Sequence, residues 1–214
     1  MQNRCLVAVV AVLFVLTGCS VVSGSGEVKS EVREVSGFTG IELSGEGEVT
    51  IEQGEAESLT VEAEDNVLPV LTSEVNGSVL RLGTRPRTTL MTRNPIRYRV
   101  QLPNLTSISL SGSGSVSAEN LQVNALQVDI SGSGTMNLAG SADEQDVEMS
   151  GSGRYDAAGL RSRSVTLEIS GSGNAAVAAS ERLRVDISGS GTVTYSGDPT
   201  VDQSVSGSGR LIKQ

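Results

Sequence analysis

The stretch VDISGSGTM (128–136) places the tetrapeptide Ser-Gly-Ser-Gly between two short runs in which apolar and polar residues alternate. From residue 111 onward the tetrapeptide occurs six times at regular spacing, with successive copies 20, 19, 20, 18 and 18 residues apart; a further copy, 23–26, lies outside this series. The six copies begin at Ser111, Ser131, Ser150, Ser170, Ser188 and Ser206. A flexible linker has no reason to recur with a regular period, whereas a structural repeat must. The spacing therefore indicates stacked repeats.

Alternating runs flank each copy, a pattern typical of half-buried strands. When the repeats are aligned on SGSG, their apolar residues fall into columns that are predicted to point inward. The columns before SGSG include Leu126, Val128 and Ile130, and a column after it includes Val116. Each SGSG is then the corner that joins two strands of one coil. Glycine permits positive φ and close stacking there, and serine can hydrogen-bond within the turn or to the neighbouring coil. The other connection of each coil, such as AGSADEQ or AGLRSRS, is predicted to be a looser corner.

Two strands of about five residues per repeat, stacked in parallel, describe an all-β fold, a parallel β-helix or β-solenoid. An antiparallel meander is the alternative, but it would mirror successive strands instead of keeping one motif between strands of the same order. The tetrapeptide is a poor phosphate-binding loop, because neither a lysine nor a helical pattern follows it.

Beyond the repeat, two further stretches are informative: FTGIELSGEGEVTIEQGEAESLTVEAEDNVLPVLTSEVNGSVLRLG (38–83) and VQLPNLTSISLSGSG (100–114). Together with the SGSG coils they resemble the head GIN domain family of putative auto-transporter adhesins. The resemblance covers 36–214, which we divide into an N-terminal half (36–103) and SGSG coils (104–214). It implies a right-handed parallel β-helix with GSG motifs at tight turns, a pectin-lyase-like architecture without recognised catalytic residues, and a role in cell adhesion. TRPRTTLMTRNP (84–95) matches no motif of the family and is interpreted as a loop particular to this chain.

The first twenty residues, MQNRCLVAVVAVLFVLTGCS, contain one positive charge followed by a short apolar run. This pattern predicts a secretory signal peptide over 1–18. Leu16-Thr17-Gly18-Cys19 resembles the bacterial lipobox, so Cys19 is predicted to carry the lipid anchor; an ordinary signal peptide with an incidental cysteine is the alternative. Ser20 resembles the outer-membrane sorting pattern, which predicts an outer-membrane lipoprotein of the bacterial envelope. The small and polar segment that follows, 19–35, is predicted to be a flexible tether.

The composition after the signal peptide excludes several classes of function. Residues 19–214 carry 15 basic and 25 acidic side chains, which argues against a nucleic-acid partner. The chain has no histidine, which removes histidine metal sites and Ser-His-Asp triads. With Cys5 removed and Cys19 acylated, no thiol remains for disulfide chemistry. The inventory therefore predicts a protein without enzyme activity or cofactor.

Two sets of charged residues are candidate sites. The first is an acidic column two residues before the corners, made of Asp129, Glu148, Glu168 and Asp186. Stacked about 4.8 Å apart, these carboxylates could bind Ca²⁺ or resemble the acids of polysaccharide-cleaving β-helices. A solvated face that keeps the repeat soluble is the alternative.

The second set comes from six arginines in 81–99, a segment without acidic residues. Arg85, Arg87 and Arg93 form a candidate ligand patch for anionic glycans or lipid headgroups. Arg97 and Arg99 are instead expected to pair across strands with the glutamate-rich region.

These observations predict a non-enzymatic, lipid-anchored envelope protein that acts in adhesion, binding or scaffolding through its β-helical surface. Its expected partners are the membrane, through Cys19, and a glycan or another envelope or surface protein; oligomerisation is left open. The alternative is a glycan-active, pectin-lyase-like enzyme or a Ca²⁺-dependent glycan-binding module.

Overall fold

The computed structural model describes residues 20–214 and is composed almost entirely of strands. The elements are β1 (Ser20–Ser23), β2 (Val28–Arg33), β3 (Gly40–Gly45), β4 (Glu48–Gln53), β5 (Ser58–Glu64), a 3₁₀ turn (Leu68–Val70), β6 (Leu71–Asn76), β7 (Val79–Thr84), β8 (Thr88–Met91), β9 (Arg97–Leu102), β10 (Ser107–Gly112), β11 (Ser115–Gly132), β12 (Thr135–Gly151), β13 (Arg154–Gly171), β14 (Asn174–Gly189), β15 (Thr192–Ser196), β16 (Thr200–Gly207) and β17 (Arg210–Lys213). Within this described part, no helix is long and apolar enough to cross a membrane.

Equivalent strands stack in parallel from the corner at Ser111 to the corner at Ser206. Before the corner, Ile130 lies beside Leu110 on one side and Met149 on the other; after the corner, Val116 lies beside Met136. The chain forms a β-solenoid of about five turns. This arrangement confirms the parallel solenoid predicted from the repeat and rules out the meander for these coils.

The corners stack through their backbones, and glycine is needed for this contact. The second residue of each of the six stacked corners has positive φ, for example +110° at Gly151. A Cβ added there would lie 2.5 Å from the carbonyl oxygen of Gly132 in the preceding corner. The amide of Ser152 donates to that same oxygen at 2.9 Å, and the other corners repeat this bond. Backbone amides therefore connect successive corners, rather than the serine hydroxyls that the sequence suggested.

The second connection of each coil is also hydrogen-bonded, which differs from the loose corner that the sequence predicted. In β11 and β12, residues 121–123 pair in register with 140–142, after a register shift that follows Ala118. Each of these coils therefore contains a third strand segment that is hydrogen-bonded to the neighbouring coil. Irregularities in the ladder, rather than a free loop, absorb the variation in repeat length.

Residues 36–103 supply the first two coils of the same stack. The corner SGEG (44–47) joins β3 to β4, and these strands pair with β10 and β11 of the next coil. One layer further out, β7 and β9 pair with the other edges of β3 and β4. The coil made of β3 and β4 thus lies between coils that follow it in sequence. Antiparallel strands then close this end of the stack, β6 against β7 and β5 against β9.

Two strands within residues 20–35 correct the expectation of a flexible tether. β1 pairs in parallel with β8, and β2 pairs antiparallel with β5. The carboxylate of Glu64, 1% exposed, accepts the amide of Gly26 at 2.9 Å, and the Asn66 side chain donates to the carbonyl of Ser23 at 2.7 Å. Because these partners lie far along the chain, local composition could not distinguish this segment from a tether.

The predicted inward columns are buried through most of the stack, and one layer of the core contains a polar chain. Gln145 occupies the inward column between Leu126 and Val165. The Tyr155 hydroxyl donates to Gln145 Oε1 at 2.6 Å, and Gln145 Nε2 donates to the hydroxyl of Ser162. Burial raises the pKa of Tyr155. Tyr155 therefore fills the core, with its hydroxyl satisfied inside it.

Candidate functional site

The four carboxylates of the predicted acidic column lie side by side on adjacent strands. Asp129 is in register with Glu148, Glu148 with Glu168, and Glu168 with Asp186. They line an open groove of about 390 Å³ that runs across the coils. Corner serines from the same strands also line this groove: Ser131, Ser150, Ser170, Ser188 and Ser206. The structure therefore brings all four predicted acids together on one grooved face.

The two ends of the column have partners of their own. Asp129 accepts a hydrogen bond from Ser109 Oγ at 3.2 Å, and Asp186 pairs with Arg184 Nε at 3.2 Å. The hydrogen bond from Arg184 to Asp186 and the negative charge of Asp186 raise the pKa of Arg184. For the two central acids, Glu148 and Glu168, the described residues provide neither a salt bridge nor a side-chain hydrogen bond. The middle of the groove thus presents two carboxylates with free hydrogen-bonding capacity.

The geometry of the column suits a row of positive charges better than one metal ion. Each coil contributes a single carboxylate, about 4.8 Å from the next. Ca²⁺ takes six to eight oxygen ligands around one point, which a linear row does not supply. Among residues 20–214, no group of three or more potential ligands is positioned to hold a metal. Cationic groups spread along the groove could each meet a different carboxylate.

The candidate arginine patch lies in the connection between β7 and β9. This connection, residues 85–96, takes the place that SGEG and SGSG occupy in the later coils. The amide of Thr88 donates to the carbonyl of Arg85 at 3.2 Å, which closes a turn with Pro86 and Arg87 at its centre. Arg87 has φ +62°, a conformation that usually favours glycine or asparagine. The turn thus places an exposed arginine at its tip at some cost in backbone strain.

The three predicted arginines do not form one compact patch. Arg85 and Arg87 line a groove of about 870 Å³, together with Glu42, Glu46, Glu74 and Arg81. Arg81 Nε is 3.1 Å from a carboxylate oxygen of Glu42. Arg93 lies past the other end of β8, and its backbone amide donates to Glu64 Oε2 at 3.1 Å. The arginines therefore flank β8 instead of converging on one ligand.

The prediction of cross-strand pairs is confirmed for Arg97. Its guanidinium lies 3.0 Å from Glu48 and 2.9 Å from Glu62, on the two neighbouring strands. The hydrogen bonds that Arg97 donates to Glu62 and Glu48 raise its pKa. Arg99 lies in register with Thr50 and Thr60 instead of an acid, so its expected glutamate partners are not directly opposite.

Sequence reasoning missed two features of this end of the molecule. SGEG (44–47) differs from the repeat by one residue and stacks beneath it, so aligning it with SGSG would have found the first coil. Glu64 binds the backbone of both the N-terminal segment and the arginine loop, and no local sequence pattern predicts this role. Cys19 and the predicted signal peptide lie outside the described residues.

The fold and the grooved face define a parallel β-solenoid protein, capped by antiparallel strands at one end and with an open groove across its coils. A family model described as "Putative auto-transporter adhesin, head GIN domain" matches residues 37–199, and the chain belongs to this family. It has no match among curated proteins.

Solved structures share the fold. A putative adhesin from Bacteroides fragilis has a TM-score of 0.74 and 22% identity, with 90% of this chain and 99% of that one covered. A putative lipid binding protein from Parabacteroides distasonis has a TM-score of 0.62 and 21% identity, with 91% and 100% covered. At these identities the likeness establishes the architecture alone.

Proposed function

We propose that the chain is a lipid-anchored protein of the bacterial cell envelope that binds a partner through the groove of its coils, without catalysing a reaction. Membership of a family described as adhesin heads supports a binding role at the cell surface or envelope. The lipobox-like Leu16-Thr17-Gly18-Cys19 supports anchoring through Cys19 in the outer membrane. The observation that carries the binding role is the in-register row of carboxylates along an open groove.

The chemistry of the groove favours a positively charged partner, and we propose a lysine- or arginine-rich segment of another envelope or surface protein. Glu148 and Glu168 can accept charge-assisted hydrogen bonds without first losing a partner within the described residues. The neighbouring serine hydroxyls can both donate and accept, so they can bind the backbone of the same segment.

The placement of the remaining reactive side chains supports a role without catalysis. Lys29 lies 3.2 Å from Asp65, and Lys213 lies 2.6 Å from Asp198, both at the ends of the molecule and outside the groove. Tyr155 is buried and donates its hydroxyl to Gln145, away from any groove. A general acid or base for chemistry in the groove would therefore have to come from the acidic column itself.

Binding is tested with the full-length protein in vesicles and a fluorescent lysine-rich peptide. Glu148→Gln with Glu168→Gln should raise Kd by up to about 25-fold, taking about 1 kcal/mol for each exposed ion pair. The matched control is Glu119→Gln with Glu144→Gln, which removes the same charge from exposed positions that do not line the groove. Equal affinities for the two double variants would refute the groove as the binding surface.

A further inference from the structure

The N-terminal segment begins beside the arginine turn. The amide of Ser20 donates to the carbonyl of Arg87 at 3.0 Å, and the hydroxyls of Ser20 and Thr88 are 3.3 Å apart. From there β1 and β8 run in parallel through four paired residues, and we call this pair the β1–β8 ribbon. Cys19 directly precedes Ser20 in the sequence, so their Cα atoms are about 3.8 Å apart. An acyl chain on Cys19 would therefore leave the protein at the Arg87 end of the ribbon.

The ribbon has one face packed on the protein and one face turned outward. Val22 and Leu90 are partly buried and pack against the core. The alternate positions Val21 and Met91 are each 60% exposed. Two large apolar side chains on the outward face of a short ribbon gain free energy when they leave water, and they suit the boundary between headgroups and acyl chains.

Three arginines flank strand β8 of the ribbon. Arg85 and Arg87 precede β8, Arg93 follows it, and all three side chains are exposed. Residues 84–96 contain no acid, and none of the three arginines forms a salt bridge within the described part of the chain. Glu42, Glu46 and Glu74 line the same groove as Arg85 and Arg87, and Glu64 accepts the backbone amide of Arg93. In a strongly acidic protein, this edge combines exposed arginines and apolar tips beside the predicted anchor.

We propose that the outward face of the β1–β8 ribbon, with Arg85, Arg87 and Arg93, docks on the anionic bilayer that holds the protein's own lipid anchor. This proposal rests on the anchoring of Cys19 proposed above. A headgroup layer is only about 5–8 Å thick, and Ser20, the residue that follows Cys19, already belongs to the ribbon. The domain therefore sits directly on the membrane in a set orientation, and the arginines bind lipid phosphates while Val21 and Met91 enter the interface.

The absence of tryptophan makes the orientation measurable. Met91→Trp places a single fluorophore on the ribbon, and Ile212→Trp places one at the exposed far end of the stack. The processed full-length protein is reconstituted in vesicles of phosphatidylcholine and phosphatidylglycerol that contain brominated lipid as a quencher. Mass spectrometry and vesicle flotation report anchoring, and quenching reports docking. We expect strong quenching at Met91→Trp and little at Ile212→Trp.

Charge removal tests the arginines within the Met91→Trp protein. Each of Arg85→Gln, Arg87→Gln and Arg93→Gln should lower the ratio of docked to undocked protein about fivefold. High salt should act in the same direction. The matched control, Arg161→Gln with Arg182→Gln, changes exposed arginines on later coils and should leave quenching unchanged.

The two proposals fail in distinguishable ways. If the protein is acylated and floats with vesicles, but Met91→Trp is quenched no more than Ile212→Trp, the docking proposal is wrong while anchoring stands. If the protein carries no acyl group and does not float, both proposals fall. Quenching that is equal in pure phosphatidylcholine vesicles and insensitive to the arginine variants would also overturn docking through lipid phosphates.

Discussion

Replacing Gly151 by alanine tests whether the SGSG corners are stacked as tightly as the structure indicates. Gly151 has φ +110°, and alanine in such a conformation costs about 1–3 kcal/mol. The new methyl carbon would lie 2.5 Å from Gly132 O, well inside the 3.4 Å of ordinary contact. The two corners must move apart to relieve this clash. That movement weakens the hydrogen bond from the Ser152 amide to the Gly132 oxygen and costs about 1 kcal/mol more. We expect a loss of about 2–4 kcal/mol in the free energy of unfolding.

Two further glycines separate the causes of this loss. Gly77 has φ +61°, but nothing lies within 4 Å of an added Cβ, so Gly77→Ala should cost about 1 kcal/mol from the backbone alone. Gly153 does not have a positive φ, but a Cβ would lie 2.7 Å from Cγ2 of the buried Ile130 and 3.1 Å from the carbonyl oxygen of Gly134. We expect about 1–3 kcal/mol for Gly153→Ala.

The assay is equilibrium urea unfolding followed by far-ultraviolet circular dichroism, with m-values compared to verify that the same surface is exposed. The expected order of destabilisation is Gly151→Ala, then Gly153→Ala, then Gly77→Ala. If Gly151→Ala costs no more than Gly77→Ala, the corners are not in close backbone contact and the reasoning fails.

Three other predictions concern the anchor, the repeat and the buried tyrosines. Cys19→Ser should leave an unprocessed precursor without an acyl group, as mass spectrometry would report; acylated and correctly processed protein would contradict the lipobox. Deleting 145–164 removes one full coil, including the hydrogen-bonded Gln145, Tyr155 and Ser162, and should leave a domain that circular dichroism shows to be folded. Deleting only 145–154 removes half a coil and should unfold the domain. If both deletions unfold the protein equally, the stacked-coil model is wrong. Burial raises the pKa of Tyr98 to about 12 and also raises that of Tyr155. An unfolded tyrosine loses its hydroxyl proton near pH 10, whereas the folded protein keeps the protons of both tyrosines at higher pH. The free energy of unfolding should therefore keep its full value below pH 10 and fall as the pH approaches 12. Tyrosinate absorbance that rises well before unfolding would contradict this.

Much of the candidate groove could be predicted from the sequence, because a repeat turns spacing along the chain into neighbourhood in space. Positions two residues before each corner had to stack once the strands were parallel, and the structure confirms that row in Asp129, Glu148, Glu168 and Asp186. The openness of the groove, and the free carboxylates at its centre, required the positions of side chains such as Ser109 and Arg184.

The arginine loop shows where such reasoning stopped. Its composition marked Arg85, Arg87 and Arg93, but a basic composition does not say which side chains meet. The structure separates Arg93 from the other two because β8 intervenes, and it brings Ser20 to Arg87 across a large distance in sequence. That contact depends on the pairing of β1 with β8, for which neither strand carries a repeat motif.

The sequence by itself therefore determined the parallel stack, its glycine corners and its inward columns, since periodic spacing and alternation are local properties that every coil repeats. Only the tertiary structure decided the order of the first two coils, the antiparallel cap and the strands within residues 20–35. These depend on single, non-repeated contacts between distant segments, such as Glu64 with Gly26. A contact made once leaves no period in the sequence, and its energy is realised only when the folded chain brings both partners together.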